Sequence, residues 1–489
     1  MLFHLLRFLF LSVCLSGCMV GPRYSKPCLP IQPEWTHAPD EAENFTYDDD
    51  PEWWLMFGDE TLNALIYYAY LQNRSLEISG TRVYQAYANL AISYGQLFPQ
   101  FQQLQTSHSY NRLSQTTATP PAVPTFQNYF LNFFATWEID LWGKFRHGVA
   151  ASYANLQGSV FTYRDVFRSL AGTIGQTYMQ IIGFNRKIEF LKENVRIQEK
   201  TVRIVHAKKE LGEISALDLE QAISVLETTK GTLEQQILQK ELAKNFLCTL
   251  LGVAPYDIEE CYAFPSVLPL APPHPDVGIP LDIIRSRPDI RAAEQQAIAQ
   301  AHIAGIATAE MLPAFSLTGF FGWESANSNR LFNGNSRIAG FGQDIAWDIF
   351  NYGRLSNNVV AQNALLQEFL VNYQNVVINA CREVEDAMVS YIQDEKIVDR
   401  FSEAVRATNR TVELSMTQYE YGAVDFLNVL TAQSNLVAQQ LALVDAETAH
   451  VIDYINIQTS LGKGWEFTVC KDFVSPCRRE KIGNIHYFW

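Results

Sequence analysis

The sequence lacks a long apolar run, although 48% of its residues are hydrophobic. A membrane-spanning helix needs about 20 consecutive apolar residues, and no segment of this chain reaches that length. If the protein crosses a membrane, we therefore expect β-strands to cross it.

Basic residues are scarce relative to acidic ones. The chain carries 37 Lys and Arg against 52 Asp and Glu, which gives a formal net charge of −15. Such an acidic chain offers no electrostatic basis for binding the phosphates of nucleic acid. We therefore expect no nucleic-acid partner.

Motifs for catalysis and cofactor binding are missing as well. The sequence contains no HExxH, GxSxG, GxGxxG or P-loop pattern. None of its cysteines shows CxxC spacing or an adjacent histidine pair. Cys470 and Cys477 either close a small loop or remain free thiols. The sequence predicts a protein that is not an enzyme, with no catalytic residue, no metal ligand and no cofactor beyond a covalent lipid.

That lipid is predicted by the first residues of the chain. Residues 1–17 form a short secretory signal with one Arg and an apolar core too brief to cross a bilayer. The small residues Ser16 and Gly17 directly before Cys18 resemble the bacterial lipobox, which implies cleavage before Cys18 and its acylation. The alternative is an ordinary signal peptide with an incidental cysteine. Met19 stands where an Asp favours retention at the inner membrane, so the outer membrane is expected.

The chain repeats itself. The phrase "WEIDLWGKFRHG" (137–148) returns as "WDIFNYGRLSNN" (347–358). Three glycines recur at the same offset, namely Gly143, Gly212 and Gly252 at positions 353, 422 and 462. Upstream the offset is larger by four, since "YGQLFPQF" (94–101) matches "TAEMLPAF" (308–315). This register predicts two halves that share one packing scheme.

Each half is predicted to hold long helices. Proline is absent from 126–254 and from 314–475, and apolar residues at 3/4 spacing over 145–211 and 216–252 indicate coiled-coil-like packing. Residues 74–98 are a further helix by pattern, and we expect it to stack end to end with 216–252 beside the long helix. Gly212 and Gly422 are predicted to be the turns between long and return helices.

Alternating aromatic and polar residues indicate strands. "NYFLNFFATWEIDLW" (128–142), "AFSLTGFFGWE" (314–324) and "AGFGQDIAWDIF" (339–350) each place apolar residues on one face, as strands of outer-membrane proteins do. The alternative is the edge of a soluble sandwich. Two hairpins supply only four strands, too few to close a barrel in lipid, so several chains are expected to share one.

These features predict six segments along the chain. They are a lipoprotein signal peptide (1–17), an N-terminal anchor and equatorial segment (18–72), the first repeat (73–260), a proline-rich linker (261–280), the second repeat (281–465) and a C-terminal tail (466–489).

Four segments together resemble the TolC-like outer-membrane efflux proteins, in the OprM/NodT lipoprotein branch. They are "CMVGPRYSKP" (18–27), "WWLMFGDETLNALI" (53–66), "IPLDIIRSRPDIRAAE" (279–294) and the glycine pair Gly212 and Gly422. The resemblance covers residues 18 to about 466, and the last stretch of the chain goes beyond it.

The resemblance implies a mainly α fold with a membrane β-barrel portion. A homotrimer would share a twelve-stranded β-barrel and a long α-helical periplasmic barrel, with two internal repeats per chain. The implied function is the exit duct of a tripartite efflux system, joined to an inner-membrane transporter through a periplasmic adaptor. The implied location is the outer membrane, lipid-anchored and extending into the periplasm.

A gate at the periplasmic helix turns is also implied. Related channels often place aspartates just past the second turn glycine, but here those positions are Asn428 and Thr431. The nearest acidic residues are Asp425 and Asp218, for which helix capping is an equally good explanation. Phe426 and Leu427 could instead form an apolar constriction.

Two other functions fit the same sequence. One is an exit duct for protein secretion (type I), distinguished only by its partner pump. The other is a structural envelope lipoprotein that does not conduct. The sequence does not specify the cargo.

Overall fold

The computed structural model describes residues 19–29, 31–37, 52–119, 122–271, 280 and 286–465. The predictions on the signal peptide, Cys18, Cys470, Cys477 and the tail 466–489 fall outside the described residues.

Within that part of the chain, the helices repeat in length as well as in order. They are α1 (Glu60–Gln72), α2 (Arg74–Gly95), α3 (Lys144–Glu210), α4 (Ala216–Leu250), α5 (Pro288–Ala309), α6 (Arg354–Glu420) and α7 (Phe426–Ser460). The two long helices have 67 residues each, the two return helices 35 each, and α2 and α5 22 each. At 1.5 Å per residue, a long helix spans roughly 100 Å. No described helix is apolar enough over a sufficient length to cross a lipid bilayer.

Helix α3 begins and ends within one residue of the predicted range 145–211, whereas α2 ends earlier than predicted. The pattern indicated a helix to residue 98, but α2 ends at Gly95 and residues 96–98 form hydrogen-bonded turns. Pro99 follows, and the residue before a proline is disfavoured in helical conformation. The chain leaves the helix here and enters the first strand.

Four strands form one antiparallel sheet. They are β1 (Phe101–Arg112), β2 (Thr125–Ile139), β3 (Ala314–Ser325) and β4 (Arg337–Ala346), in the order β1-β2-β3-β4. The two predicted hairpins are therefore joined through β2 and β3, with Ile139 opposite Phe315. Strands β1 and β4 are the two edges of this sheet.

Strand β4 is shorter than the sequence pattern predicts. The alternation indicated a strand through residue 350, but β4 ends at Ala346, which pairs with the first residue of β3, Ala314. Because β3 begins at Ala314, it has no residue that could pair with Trp347 or Ile349, and both lie outside the sheet.

The chain divides into two units. The first comprises the residues up to Cys28 with Thr81–Val160 and Ala292–Asn375, and it contains the whole sheet. The second comprises Leu29–Gly80, Phe161–Arg291 and the residues from Val376 onward.

The core of the second unit lies against the middle of α3. Trp53 and Trp54, in a short 3-10 helix before α1, are 2% exposed and pack with Ile174 and Ile455. Tyr178 on α3 donates to the Asp59 carboxylate (2.6 Å), the cap of α1. The segment before α2 therefore packs on the long helix at its midpoint. The predicted equatorial belt around a helical barrel stays a prediction.

The short helices meet end to end. Asn73, directly before α2, donates from Nδ2 to the carbonyl of Leu250 at the end of α4 (2.7 Å). In the second half, Arg287 directly before α5 donates from Nη1 to the carbonyl of Ser460 at the end of α7 (2.9 Å). Each junction satisfies a carbonyl that the helix end leaves without an intrahelical partner.

Candidate functional site

The first helix turn is closed by Gly212. Gly212 has φ +77°, and the amide of Glu213 donates to the carbonyl of Lys208 (3.0 Å). This left-handed turn after a helix is the conformation that glycine adopts without steric cost. Ser215 then caps α4 in a reciprocal pair with Asp218, whose carboxylate accepts from the Ser215 amide (3.1 Å).

The second turn has the same backbone but a different cap. Gly422 has φ +72°, and the amide of Ala423 donates to the carbonyl of Gln418 (2.8 Å). Asp425 occupies the cap position of α7, yet its side chain makes no capping hydrogen bond to the described residues of this turn. Asp425 is exposed, whereas the carboxylate of Asp218 is used within its own helix.

The two turns pack together within the second unit. One buried apolar cluster joins the end of α3 to the starts of α4 and α7, through Val205, Leu219, Ala222, Phe426, Val429 and Leu430. The Phe426 ring also contacts the Tyr419 ring (centroids 5.1 Å apart). Because both turns pack on this one apolar core, one turn can move only if the other moves with it or if the core comes apart.

The structure therefore separates the predicted gate residues. Asp218 belongs to the cap of α4, and the other five fall into two groups. Phe426 is 4% exposed within the shared core, so its ring is not available to line a passage in this conformation. Asp425, Leu427, Asn428 and Thr431 are exposed along the first turns of α7. Their role as a gate remains a prediction, which the geometry narrows to this exposed set.

A second candidate site lies where strands become helices. Glu138 in β2 pairs with Lys144 at the start of α3 (3.3 Å), and Asp348 pairs with Arg354 at the start of α6 (3.3 Å). Both pairs line one cavity of about 260 Å³. The phrases "WEIDLWGK" and "WDIFNYGR" thus differ in sequence, but each keeps an acidic residue that pairs with a basic residue where the strand gives way to the helix. This place is called the joint below.

Tryptophan indoles make hydrogen bonds at the same two joints. Trp137 donates to the carbonyl of Leu97 (3.2 Å), and Trp347 donates to the carbonyl of Met311 (3.0 Å). Each indole donates to a backbone carbonyl of its own repeat. The two acceptors are equivalent, since Leu97 and Met311 occupy the same place in the matching phrases "YGQLFPQF" and "TAEMLPAF". Trp142 differs, since its indole donates to Pro313 of the other repeat (2.7 Å).

The segment that follows Cys18 is held against the first unit. The amide of Val20 donates to the carbonyl of Trp142 (3.1 Å), and a Cβ on Gly21 would lie 2.6 Å from Cα of Gly305. Further along, Lys26 pairs with Glu294 on α5 (3.4 Å). These contacts hold residues 19–29, called the strap below, in place, and Cys18 itself lies outside the described residues.

A histidine pair lies under the strap. The Nε2 atom of His147 is 3.0 Å from the carbonyl of Val20, and its Nδ1 is 3.0 Å from Nδ1 of His302. A carbonyl only accepts, so Nε2 of His147 carries the proton and Nδ1 of neutral His147 accepts from His302. Burial lowers the pKa of both imidazoles.

Sequence reasoning missed the strap contacts, the histidine pair and the joint ion pairs. The ion pairs left a signal, because both copies of the repeated phrase keep an acid and a base at the same spacing. The histidines left none, since position 357 in the second repeat is Asn. In the part of the chain that the structure describes, no three His, Cys, Asp or Glu side chains form a group suited to a metal ion.

Comparison with known proteins identifies relatives along nearly the whole chain. Residues 65–253 and 280–463 match the family described as outer membrane efflux protein. The cation efflux system protein CusC of Escherichia coli is 26% identical over 460 residues, 93% of this chain and 97% of CusC. The outer membrane protein OprJ of Pseudomonas aeruginosa is 26% identical over 470 residues, 94% of this chain and 95% of OprJ.

Solved structures share the fold. The outer-membrane channel OprN superposes with a TM-score of 0.85 at 26% identity, covering 92% of this chain and 100% of OprN. The CmeC outer membrane channel of Campylobacter jejuni gives a TM-score of 0.85 at 24% identity, covering 91% of this chain and 95% of CmeC. The helix-strand-helix repeats described above are those of TolC-like outer-membrane channels.

Proposed function

Because this chain belongs to the outer membrane efflux protein family, it is an outer-membrane efflux channel, and we propose that three copies form each channel. The observation that carries the proposal is the sheet of four strands, whose edges β1 and β4 have no strand neighbour among the described residues of one chain. Unpaired backbone groups are not tolerated in lipid. Three copies would supply twelve strands to one closed sheet.

The helix turns are the proposed gate. Members of this family act in tripartite systems with a periplasmic adaptor and an inner-membrane pump. We propose that the three Gly422 turns of a trimer narrow the passage through Asp425, Leu427, Asn428 and Thr431. The packing of both turns on one apolar core supports this, because opening either turn then requires the other to move or the core to separate.

Transport through the channel is proposed to be passive. The relatives are channels, and we propose that this chain performs no chemistry and requires no cofactor. CusC is named for cations, but the cargo of this chain is proposed to be set by its pump. A type I secretion duct would differ in its pump, and co-purification of adaptor and pump from native membranes distinguishes the two.

The lipid anchor on Cys18 also stays a proposal. It is supported by the lipobox-like residues before Cys18 and by the packing of Met19, the next residue, against Gly143. Metabolic labelling with palmitate should mark the wild-type protein. The matched variant Cys18→Ser should carry no label, and a labelled variant would contradict the assignment.

The oligomer is tested by native mass spectrometry of the detergent-solubilised full chain. Three copies of the subunit are expected. A mass of one copy, in preparations that retain native helix content, would contradict the shared sheet and favour the structural lipoprotein.

A further inference from the structure

The polar face of the four-stranded sheet carries phenylalanines among its polar residues. Successive strand residues point to opposite faces, so the pairings assign each residue to one face. One face is apolar and includes the cross-strand pair Phe133 and Phe321. The other holds mostly Gln, Ser, Asn and Thr, but also Phe101, Phe134 and Phe320. Strands of outer-membrane proteins turn their apolar face to lipid, so in the proposed trimer these three rings face the passage.

The three rings lie together and are called the phenylalanine patch below. The ring centroids of Phe101 and Phe134 are 5.9 Å apart, edge to face. Phe134 lies directly opposite Phe320 in the sheet. The Phe320 ring lies over Gly340 of β4, where a Cβ would be 2.4 Å from the ring. The patch therefore extends from β1 across the sheet to β4.

The patch is open to solvent within one chain. Phe101 is 47% exposed and Phe320 39%, and Phe134 is half-buried. Single apolar side chains are common on protein surfaces, whereas contacting ones form the kind of patch that marks a binding surface.

The charged residues of the strands are divided between the two faces. The acidic Glu138, Glu324 and Asp344 all lie on the polar face, and the basic Arg112 and Arg337 both lie on the apolar face. Along the strands, Glu138 and Asp344 lie on the joint side of the patch, and Glu324 lies on its hairpin side. The patch is therefore flanked by acids at both ends.

Two of these three carboxylates have no basic partner among the described residues. Glu324 accepts a hydrogen bond from the amide of Asn128 (2.8 Å), and neither Glu324 nor Asp344 forms an ion pair. Glu138 is paired with Lys144 (3.3 Å). The surroundings of the patch thus keep a negative charge on each side.

An unused hydrogen-bond acceptor lies beside the patch. Asn132 is on the polar face two residues from Phe134 and is 7% exposed, and its Oδ1 has no hydrogen-bond partner among the described residues. A buried amide oxygen of this kind calls for a donor. Rings, negative charge and a spare acceptor together are complementary to an aromatic molecule that carries a positive charge and an N–H group.

We propose that the phenylalanine patch binds aromatic organic cations as they pass through the channel. This inference rests on the proposed trimeric channel and adds a binding site to it. A cation near an aromatic face is attracted by the π electrons, and the carboxylates of Glu324 and Asp344 attract the same charge over a longer range. The pump would still select the cargo, and the patch would hold the aromatic cations among it.

Fluorescence anisotropy of rhodamine 6G, titrated with the purified full-length trimer, tests the proposal. This dye is an aromatic cation with two ethylamino N–H donors. Phe134→Thr with Phe320→Thr removes two rings of the patch, and the neighbouring pair Thr136 and Thr318 shows that this face accepts threonine. We expect the Kd for the dye to rise roughly tenfold.

The matched control removes the equivalent ring pair from the other face. Phe133→Thr with Phe321→Thr should leave the Kd for the dye unchanged. Every variant is first shown to be trimeric by native mass. If the control does not assemble, the leucine versions of both pairs are compared instead, because leucine keeps the apolar contact and removes only the ring.

The ligand chemistry is tested with a second dye. Fluorescein has the same fused ring system as rhodamine 6G but is an anion, so it should bind the wild-type trimer at least about tenfold more weakly. Asp344→Asn should weaken the binding of rhodamine 6G and leave the trimer intact. Equal binding of the two dyes would contradict a site for cations.

The pattern across variants decides the proposal. A loss confined to the Phe134 and Phe320 pair supports it. An equal loss in the Phe133 and Phe321 pair would show adsorption to the outer surface, and an unchanged Kd in a conducting trimer would overturn the site. A raised conductance with an unchanged Kd would show that the rings narrow the passage and do not bind. A wild-type chain that forms no conducting trimer would contradict the proposed function instead.

Discussion

Gly252 and Gly212 both end a helix with positive φ, but their surroundings differ. A Cβ on Gly252 would lie 2.2 Å from the carbonyl oxygen of Gln72, whereas no described atom lies within 4 Å of a Cβ on Gly212. Gly212→Ala should therefore cost only the conformational strain, about 1–2 kcal/mol.

Gly252→Ala should cost that strain and also push apart the junction of α4 and α2. Thermal unfolding of the two purified variants measures the difference, with Gly252→Ala expected to have the lower Tm. Equal Tm values would show that the close approach of Gly252 to Gln72 adds nothing to the loss of stability.

The histidine pair makes the strap sensitive to acid. Burial lowers the pKa of His147 and His302 from 6.5. At His147 the hydrogen bond to the Val20 carbonyl and the Asp140 carboxylate oppose this shift, and Arg146 adds to it. The folded chain thus binds fewer protons than the unfolded chain. The stabilisation is present above pH 6.5 and is lost as the pH falls below it. A proton on Nδ1 of His147 would also place two N–H groups face to face across 3.0 Å.

We expect trypsin to cleave the strap after Arg23 faster at about pH 5.5 than at about pH 7.5. His147→Gln keeps a donor for the Val20 carbonyl and does not titrate, so it corrects for the protease's own pH dependence. An identical pH response in wild type and His147→Gln would show that the histidine pair does not make the strap sensitive to pH.

At the scale of elements, a buried arginine holds the end of α7. Arg287 is 2% exposed and binds the Ser460 carbonyl, Asp289 and Glu383. Arg287→Ala would leave Asp289 without its main partner and should cost about 3–5 kcal/mol.

The matched control is Arg382→Ala, which breaks an exposed pair with Asp386 one helical turn away and should cost less than about 1 kcal/mol. Denaturant unfolding of both variants provides the comparison. A loss for Arg287→Ala as small as that for Arg382→Ala would show that the junction of α5 and α7 is not held by this cluster.

The helices were predictable because they depend on local information. Apolar spacing and the proline-free tract placed α3 within a residue at each end, and Gly212 and Gly422 lie at the predicted turns. The end of α2 was wrong by three residues, since Pro99 acts on the residues before it. The strand pattern was correct at Phe341 and Ile345 but extended past Ala346, where β3 offers no further residue to pair.

The candidate site was less predictable than the fold. The sequence offered Asp425 and Asp218 alike as the nearest acidic residues to the turns, but only the structure shows Asp218 in a reciprocal cap and Asp425 without one. Phe426 illustrates the same limit, because an apolar residue after a turn fits a constriction or a core equally well until its contacts are known. The contact between His147 and His302 joins residues 155 positions apart and carries no sequence pattern.

At the scale of the whole molecule, the exposed polar residues at the start of α7 would become rings when three copies assemble. Asp425→Ala removes a carboxylate that does not cap α7, so we expect a modest rise in closed-state conductance and little change in Tm. Asp218→Ala, the matched control, breaks the cap of α4 and should lower Tm by destabilising a helix start, worth about 1 kcal/mol. A conductance unchanged in Asp425→Ala would remove this residue from the gate.

Three copies of this chain are proposed to enclose one passive conduit through the outer membrane. Single-channel recording of the purified full-length trimer in a planar lipid bilayer tests this claim most directly. We predict discrete ion-conducting steps that occur without any energy source and that increase modestly when Asp425→Ala removes the exposed carboxylate from the proposed gate. A confirmed trimer that inserts into the bilayer and gives no conducting steps, in wild type and variant alike, would contradict it.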